Sequence, residues 1–165
     1  MSTQLQGVNL TDTPADTGKV SEGTQPTHRV GTRYVNDLGY EYVYVHADGA
    51  IAQYDFAVFD ESFEAFKITA ALAQSHPSGG VAQVAFADND YGWLLTRGVG
   101  LVNVLANCAA EVQLYTSGTA GSLDDTDAGH RAVIGIRLSA SVGGAPASAA
   151  CYLDNPKTIV AFDGV

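Results

Sequence analysis

From Gly39 onward the chain alternates between apolar and polar positions in short runs. Gly39-Tyr-Glu-Tyr-Val-Tyr-Val-His46 puts Tyr40, Tyr42, Tyr44 and His46 on one face of a strand and Glu41, Val43 and Val45 on the other. Its aromatic and β-branched residues suit a pleated surface. After the turn Ala47-Asp-Gly49, a second alternating run extends from Ile51 to Phe59. Two patterns compete between 60 and 74. Asp60, Glu61 and Glu64 ahead of Ala-rich sequence suit a helix start, whereas Phe66, Ile68, Ala70 and Leu72 alternate as in a strand. This is the place for a short helix if the chain has one. Ser75-His-Pro-Ser-Gly-Gly80 reads as a loop. Further strands are predicted over 81–87, 92–97, 99–106 and 111–116, then a loop over 117–129 carrying Asp124, Asp125 and Asp127. Apolar segments at 132–142 and 147–153 close the domain before a tail from Asp154 to Val165. Short strands repeating at roughly 8–12 residues predict an all-β fold, a small barrel or sandwich.

Residues 1–30 follow no such period. They are rich in Thr, Gln, Ser, Asp and Gly, and their apolar residues Leu5, Val8, Leu10 and Val20 are too sparse to build a core. The division expected is an extended N-terminal arm over 1–30 and a β-domain with a C-terminal tail over 31–165. A length of 165 residues fits one domain plus such an appendage. Charged residues are 16% of the chain, against about 25% in typical domains. Gly, Ala, Ser, Thr and amides must therefore cover much of the surface, as in proteins whose faces lie against other subunits.

Eight basic residues oppose 18 acidic ones, a net charge of −10. The cations form no run, which excludes nucleic-acid binding as the main task. Met1 to Leu10 has neither a basic start nor an apolar stretch, and the apolar segment 99–112 is interrupted by Asn103, Asn107 and Glu111. We therefore expect a soluble chain made in a cytoplasm, with no membrane partner. Cys108 and Cys151 are too few for a disulfide framework and are expected as small buried thiols.

Candidate chemistry is sparse. The sequence contains no Gly-x-Ser-x-Gly elbow, Walker loop, His-Glu-x-x-His or paired-Cys motif, so it does not read as an enzyme. His28, His46, His76 and His130 have no ligand spacing. Asp88-Asn-Asp90 and Asp124-Asp-Thr-Asp127 offer oxygens but lack the Gly and bidentate Glu of a calcium loop, and read as turn residues. Neither a metal nor a cofactor is expected. Trp93, flanked by Gly92 and strand residues, is the expected core anchor. Tyr40, Tyr42 and Tyr44 admit a second reading, a receptor- or glycan-binding module of a virion fibre or cell surface; rings lining an open groove favour it, and buried rings disfavour it.

The order of segments carries a resemblance. Gly31-Thr-Arg33, the Tyr-Glu-Tyr-Val-Tyr-Val strand followed by Ala-Asp-Gly-Ala, Gly80-Val-Ala-Gln-Val-Ala, Asp90-Tyr-Gly-Trp93-Leu, and Leu114-Tyr-Thr-Ser-Gly-Thr-Ala-Gly-Ser-Leu-Asp-Asp125 together resemble the head-decoration (cement) proteins of tailed bacteriophages. The resemblance touches most of residues 31–160. It implies a structural virion protein on the outer surface of an icosahedral capsid, bound to the major capsid protein, often clustered with neighbouring copies as a trimer, and without enzymatic activity. Under that reading Leu5, Val8, Leu10 and Val20 are the expected capsid-contact residues of the arm. Thirty extended residues reach about 100 Å. Four apolar anchors at ~1.5–3 kcal/mol each fall short of the ~1–2 kcal/mol per residue needed to order such an arm, so its backbone must pair as well, by adding to a strand edge.

Overall fold

A computed structural model of the chain describes residues 10, 11, 13 and 26–159. Strands take 47% of the described residues and helix 3%, so the fold is all-β, as the alternation predicts. Ten strands form one mixed sheet: β1 (Arg33–Val35), β2 (Glu41–Ala47), β3 (Phe56–Phe59), β4 (Glu64–Lys67), β5 (Ser78–Ala82), β6 (Tyr91–Val104), β7 (Leu114–Thr116), β8 (Leu123–Asp124), β9 (Ala132–Leu138) and β10 (Ala147–Ile159). A single helical turn, α1, spans Leu72–Ser75.

The pairings close on themselves twice. β2 pairs with β4 in parallel, and β4–β3, β3–β5, β5–β6 and β6–β2 follow antiparallel, returning to the start. A second circuit runs from β6 to β8 in parallel, then through β7, β9 and β10 back to β6. The fourteen-residue β6 belongs to both. Inside the first circuit Val43, Val45, Ala57, Phe59, Ala65 and Leu94 make a small core. The larger core joins the side chains that β2 and β3 turn the other way, Tyr42, Tyr44, Phe56 and Val58, to apolar residues of the second circuit. β2 therefore buries both faces, which is why its two alternating sets are both apolar.

One bulge lets β6 serve two circuits. Leu95 lies opposite Tyr42 and Arg97 opposite Glu41, which leaves Thr96 as the extra residue. Trp93 and Leu95 face the larger core before it, and Val102 and Val104 after it. An odd-to-even switch of this kind needs one inserted residue. The strands predicted at 92–97 and 99–106 are thus one bent strand, with Gly98 at φ +119 inside it.

Four further segments differ from or sharpen the expectation. The run from Ile51 to Phe59 breaks at a turn in which Asp55 N donates to Ala52 O and the Asp55 carboxylate accepts from Ala52 N, so the strand starts only at Phe56. In the ambiguous 60–74 segment both patterns are realised. Asp60 Oδ1 accepts the N–H groups of Ser62 and Glu64, closing a hairpin turn, β4 follows, and helix is confined to α1. Gly79 and Gly80, predicted as loop, lie in β5 because a Cβ on either would strike the Phe56 ring or Leu95 O. The segment after Asp154, predicted as tail, continues β10 to Ile159.

Asp55 ties the two circuits. It is 5% exposed, receives Asn103 Nδ2 at 2.9 Å from β6 and ion-pairs with Lys67 Nζ of β4 at 3.2 Å. Gly121 sits against it at φ +84, where an added Cβ would overlap the carboxylate. Gly118 has open space around its Cβ position. Gly121→Ala is therefore expected to cost at least about 2 kcal/mol, the left-handed backbone contributing ~1–2 kcal/mol and the overlap the rest, while Gly118→Ala stays within about 0.5 kcal/mol. Urea unfolding of the two variants checks this; equal midpoints would remove Gly121 from the joint.

Candidate functional site

The chain leaves its N-terminal segment already fastened to the domain. Gly31 N donates to Tyr44 O at 2.8 Å, Tyr44 N donates to Thr32 O at 2.9 Å, and β1 continues antiparallel along β2. His28 stands edge-on to Tyr44 and Trp93, with ring centroids 5.4 and 5.1 Å away. Tyr34 packs edge-on to the same Trp93, and Tyr91 stacks on Tyr44. Trp93, the expected core anchor, is 2% exposed at the centre of this aromatic group. Of the four arm residues singled out, Leu10 packs half-buried against the larger core of its own chain. Leu5, Val8 and Val20 lie outside the described residues.

The tyrosine face is not an open platform. Tyr42 and Tyr44 are buried and Tyr40 is half-buried against Gly98, whose missing Cβ makes room for its ring. Burial pushes the Tyr42 hydroxyl pKa above 10.0, with the neighbouring Tyr40 and Tyr34 adding to the shift.

Two surfaces stay uncovered. Each described strand has at least two pairing partners except β1, which pairs with β2 alone. Thr32 O accepts from Tyr44 N and Asn36 N donates to Tyr40 O, so by antiparallel alternation the intervening Arg33 and Val35 direct their backbone groups away from β2 along a free edge. Val35 is 56% exposed there, and Leu38, in the turn to β2, is 74% exposed. The second surface is the outer face of β6, β10 and β9, where Val99 and Arg137 flank Tyr152 in register and Ile134 lies further along β9. Its cations are tied down. Arg97 contacts Glu41 at 3.2 Å and Asp154 at 3.5 Å, and Arg137 contacts Glu111 at 3.5 Å.

The acidic loops are occupied by their own backbone. Asp88 accepts Gly49 N, Asp90 accepts Ala87 N, Asp124 accepts Asp125 N, and Asp125 accepts Ala109 N across sixteen residues of chain. Cys108, Asp124 and Asp125 have ligand atoms within 4.8 Å of one another, the single such group among the described residues. Both cysteines are free and buried. Desolvation, helped by the carboxylates of Asp125 and Asp124, pushes the Cys108 thiol up to about 11. Desolvation alone pushes Cys151 up to about 12. These are neutral core groups, not nucleophiles.

Two functional groupings escape sequence reasoning. The Asp55 joint hides in an alternating run that looks like continuous strand. Arg33 and Lys157, read as isolated cations, meet at one small cavity because β1 and β10 come together there. Nothing in their local sequence marks either. No protein-family model and no curated protein matches the chain.

The raised thiol pKa values fix the sign of a pH effect. Between the unfolded value of 9.0 and the folded values of about 11 and about 12, the native state holds more protons than the unfolded one. The thiols' contribution to stability is complete below pH 9 and is lost as pH rises toward 12. Native protein at pH 8 should resist a maleimide and label at two sites once denatured without reductant. A disulfide would leave both unlabelled, and fast native labelling would refute the buried, neutral assignment.

Proposed function

We propose that the protein is a structural, adhesive β-domain that decorates the outer surface of an icosahedral phage capsid and fastens to the major capsid protein. The observation that carries this reading is the free β1 edge, placed where the N-terminal segment enters the domain and accompanied by exposed Val35 and Leu38. A strand edge with unpaired backbone groups and flanking apolar side chains is the equipment for adding a strand from another chain. Each of the other described strands has at least two pairing partners, so β1 is the strand with one side open along its whole length. A surface with only 16% charged residues in the chain supports close apposition to a neighbour. The segment order that resembles cement proteins supports the same reading. Neighbouring copies of this chain on the capsid would then act together through avidity.

The described N-terminal contacts change how the arm should be tested. His28 and Val30 belong to the domain's packing, so a deletion must stop short of them. Removal of residues 1–25 is expected to leave a cooperatively unfolding domain and to reduce co-sedimentation with undecorated expanded capsids at least tenfold. Replacing Leu5, Val8, Leu10 and Val20 by Ser should give a smaller loss, because backbone pairing survives. If the shortened chain stays folded and binds as tightly as the full chain, the arm is not the attachment device. If the full chain does not bind capsids at all, the decoration reading fails.

A further inference from the structure

We propose that the protein binds one small tetrahedral oxyanion, of the phosphate or sulfate type, in a cavity between the ends of β1, β5 and β10. The cavity measures about 60 Å³ and is lined by Arg33, Lys157, Ser78, Asn155 and Thr96, with Gly79 presenting backbone. Its size is that of a few waters, the scale of one such anion.

Its chemistry is one-sided. Arg33 and Lys157 make no ion pair with any described carboxylate, whereas Lys67, Arg97 and Arg137 each have one. The Ser78 hydroxyl and the Asn155 amide have no hydrogen-bond partner among the described residues. Thr96 Oγ1 is spent on Glu41 O at 3.2 Å. Two positively charged side chains, a hydroxyl and an amide thus line one small space, its wall completed by Phe59 and Pro156. The ligand that completes such a set is an anion with acceptors on all sides.

The backbone builds the opening. β10 slips against β9 between Leu153 and Lys157, where Asp154, Asn155 and Pro156 stand opposite the single Gly135. Asn155 sits in this bulge at φ +50, and Lys157 re-enters the ladder opposite Ser78 of β5. A bulge re-aims side chains that a regular strand would send to alternate faces. Asn155 and Lys157, two positions apart, share a face of β10, and the bulge adds the intervening Pro156 to the same cavity wall.

The site does not depend on capsid decoration and is tested on the isolated full chain. Inorganic phosphate is titrated at pH 7.5 against sodium chloride of matched ionic strength, following the melting temperature and the phosphorus NMR linewidth. Phosphate should raise the melting temperature saturably and broaden its own resonance, with sulfate competing and acetate at least tenfold weaker. Lys157→Gln and Arg33→Gln are each expected to weaken the response about tenfold or more, and Lys157→Arg to retain it. Both side chains are exposed and unbonded, so melting in chloride should be unchanged and serves as the folding control. Equal responses to phosphate and chloride, equal responses to phosphate and acetate, or an unaltered response in the double variant would each overturn the proposal.

Discussion

The fold depends on a carboxylate taken out of water. Asp55 is almost fully enclosed, and an ionised group in that position costs several kcal/mol unless its oxygens are met. They are met from three directions: the turn that precedes β3, Lys67 on β4 and Asn103 near the far end of β6. The backbone around it repeats the same connections. Asn103 N donates to Tyr54 O, Ala82 N donates to Asp55 O, and Phe56 N donates to Gly121 O. One side chain thus sits where the first circuit, the second circuit and the 117–122 loop meet, and its partners fix all three relative to one another.

That joint explains why irregular backbone is tolerated nearby. A strand serving two closed circuits cannot keep one parity throughout, and the Thr96 bulge is where β6 changes over. Gly98 accepts the left-handed conformation that follows, and the absent Cβ gives Tyr40 its place. Tyr54, at φ +68, takes a conformation that costs a non-glycine residue about 1 kcal/mol or more, next to the enclosed carboxylate. Strain and compensation lie within a few residues of each other.

How much of this can be read from the chain follows from the range of the forces involved. The Tyr-rich strand, the Trp93 strand and the all-β class rest on local alternation and appear where alternation puts them. The 60–74 segment resisted because its acids cap a hairpin turn through Asp60, a side-chain-to-backbone bond that imitates a helix start in composition. Gly79 and Gly80 read as loop because their glycine is required by the Phe56 ring and Leu95 O, neither near in sequence. The two unpaired cations at the small cavity are 124 positions apart. Leu10 was legible as an isolated apolar residue, and its contact with the domain's own core was not.

The attachment of β1 to β2 has a mechanical side. Gly31 and Thr32 are bonded to Tyr44, and β1 runs on antiparallel along β2 with Tyr34 facing it, with His28 seated on Trp93 just upstream. Tension applied to the preceding segment along the strand axis is shared by all of these bonds at once, in shear. Tension applied across the axis peels them singly, starting at Gly31. The domain is thus a directional clamp, strong against a pull that runs along its surface and weak against one that lifts away from it.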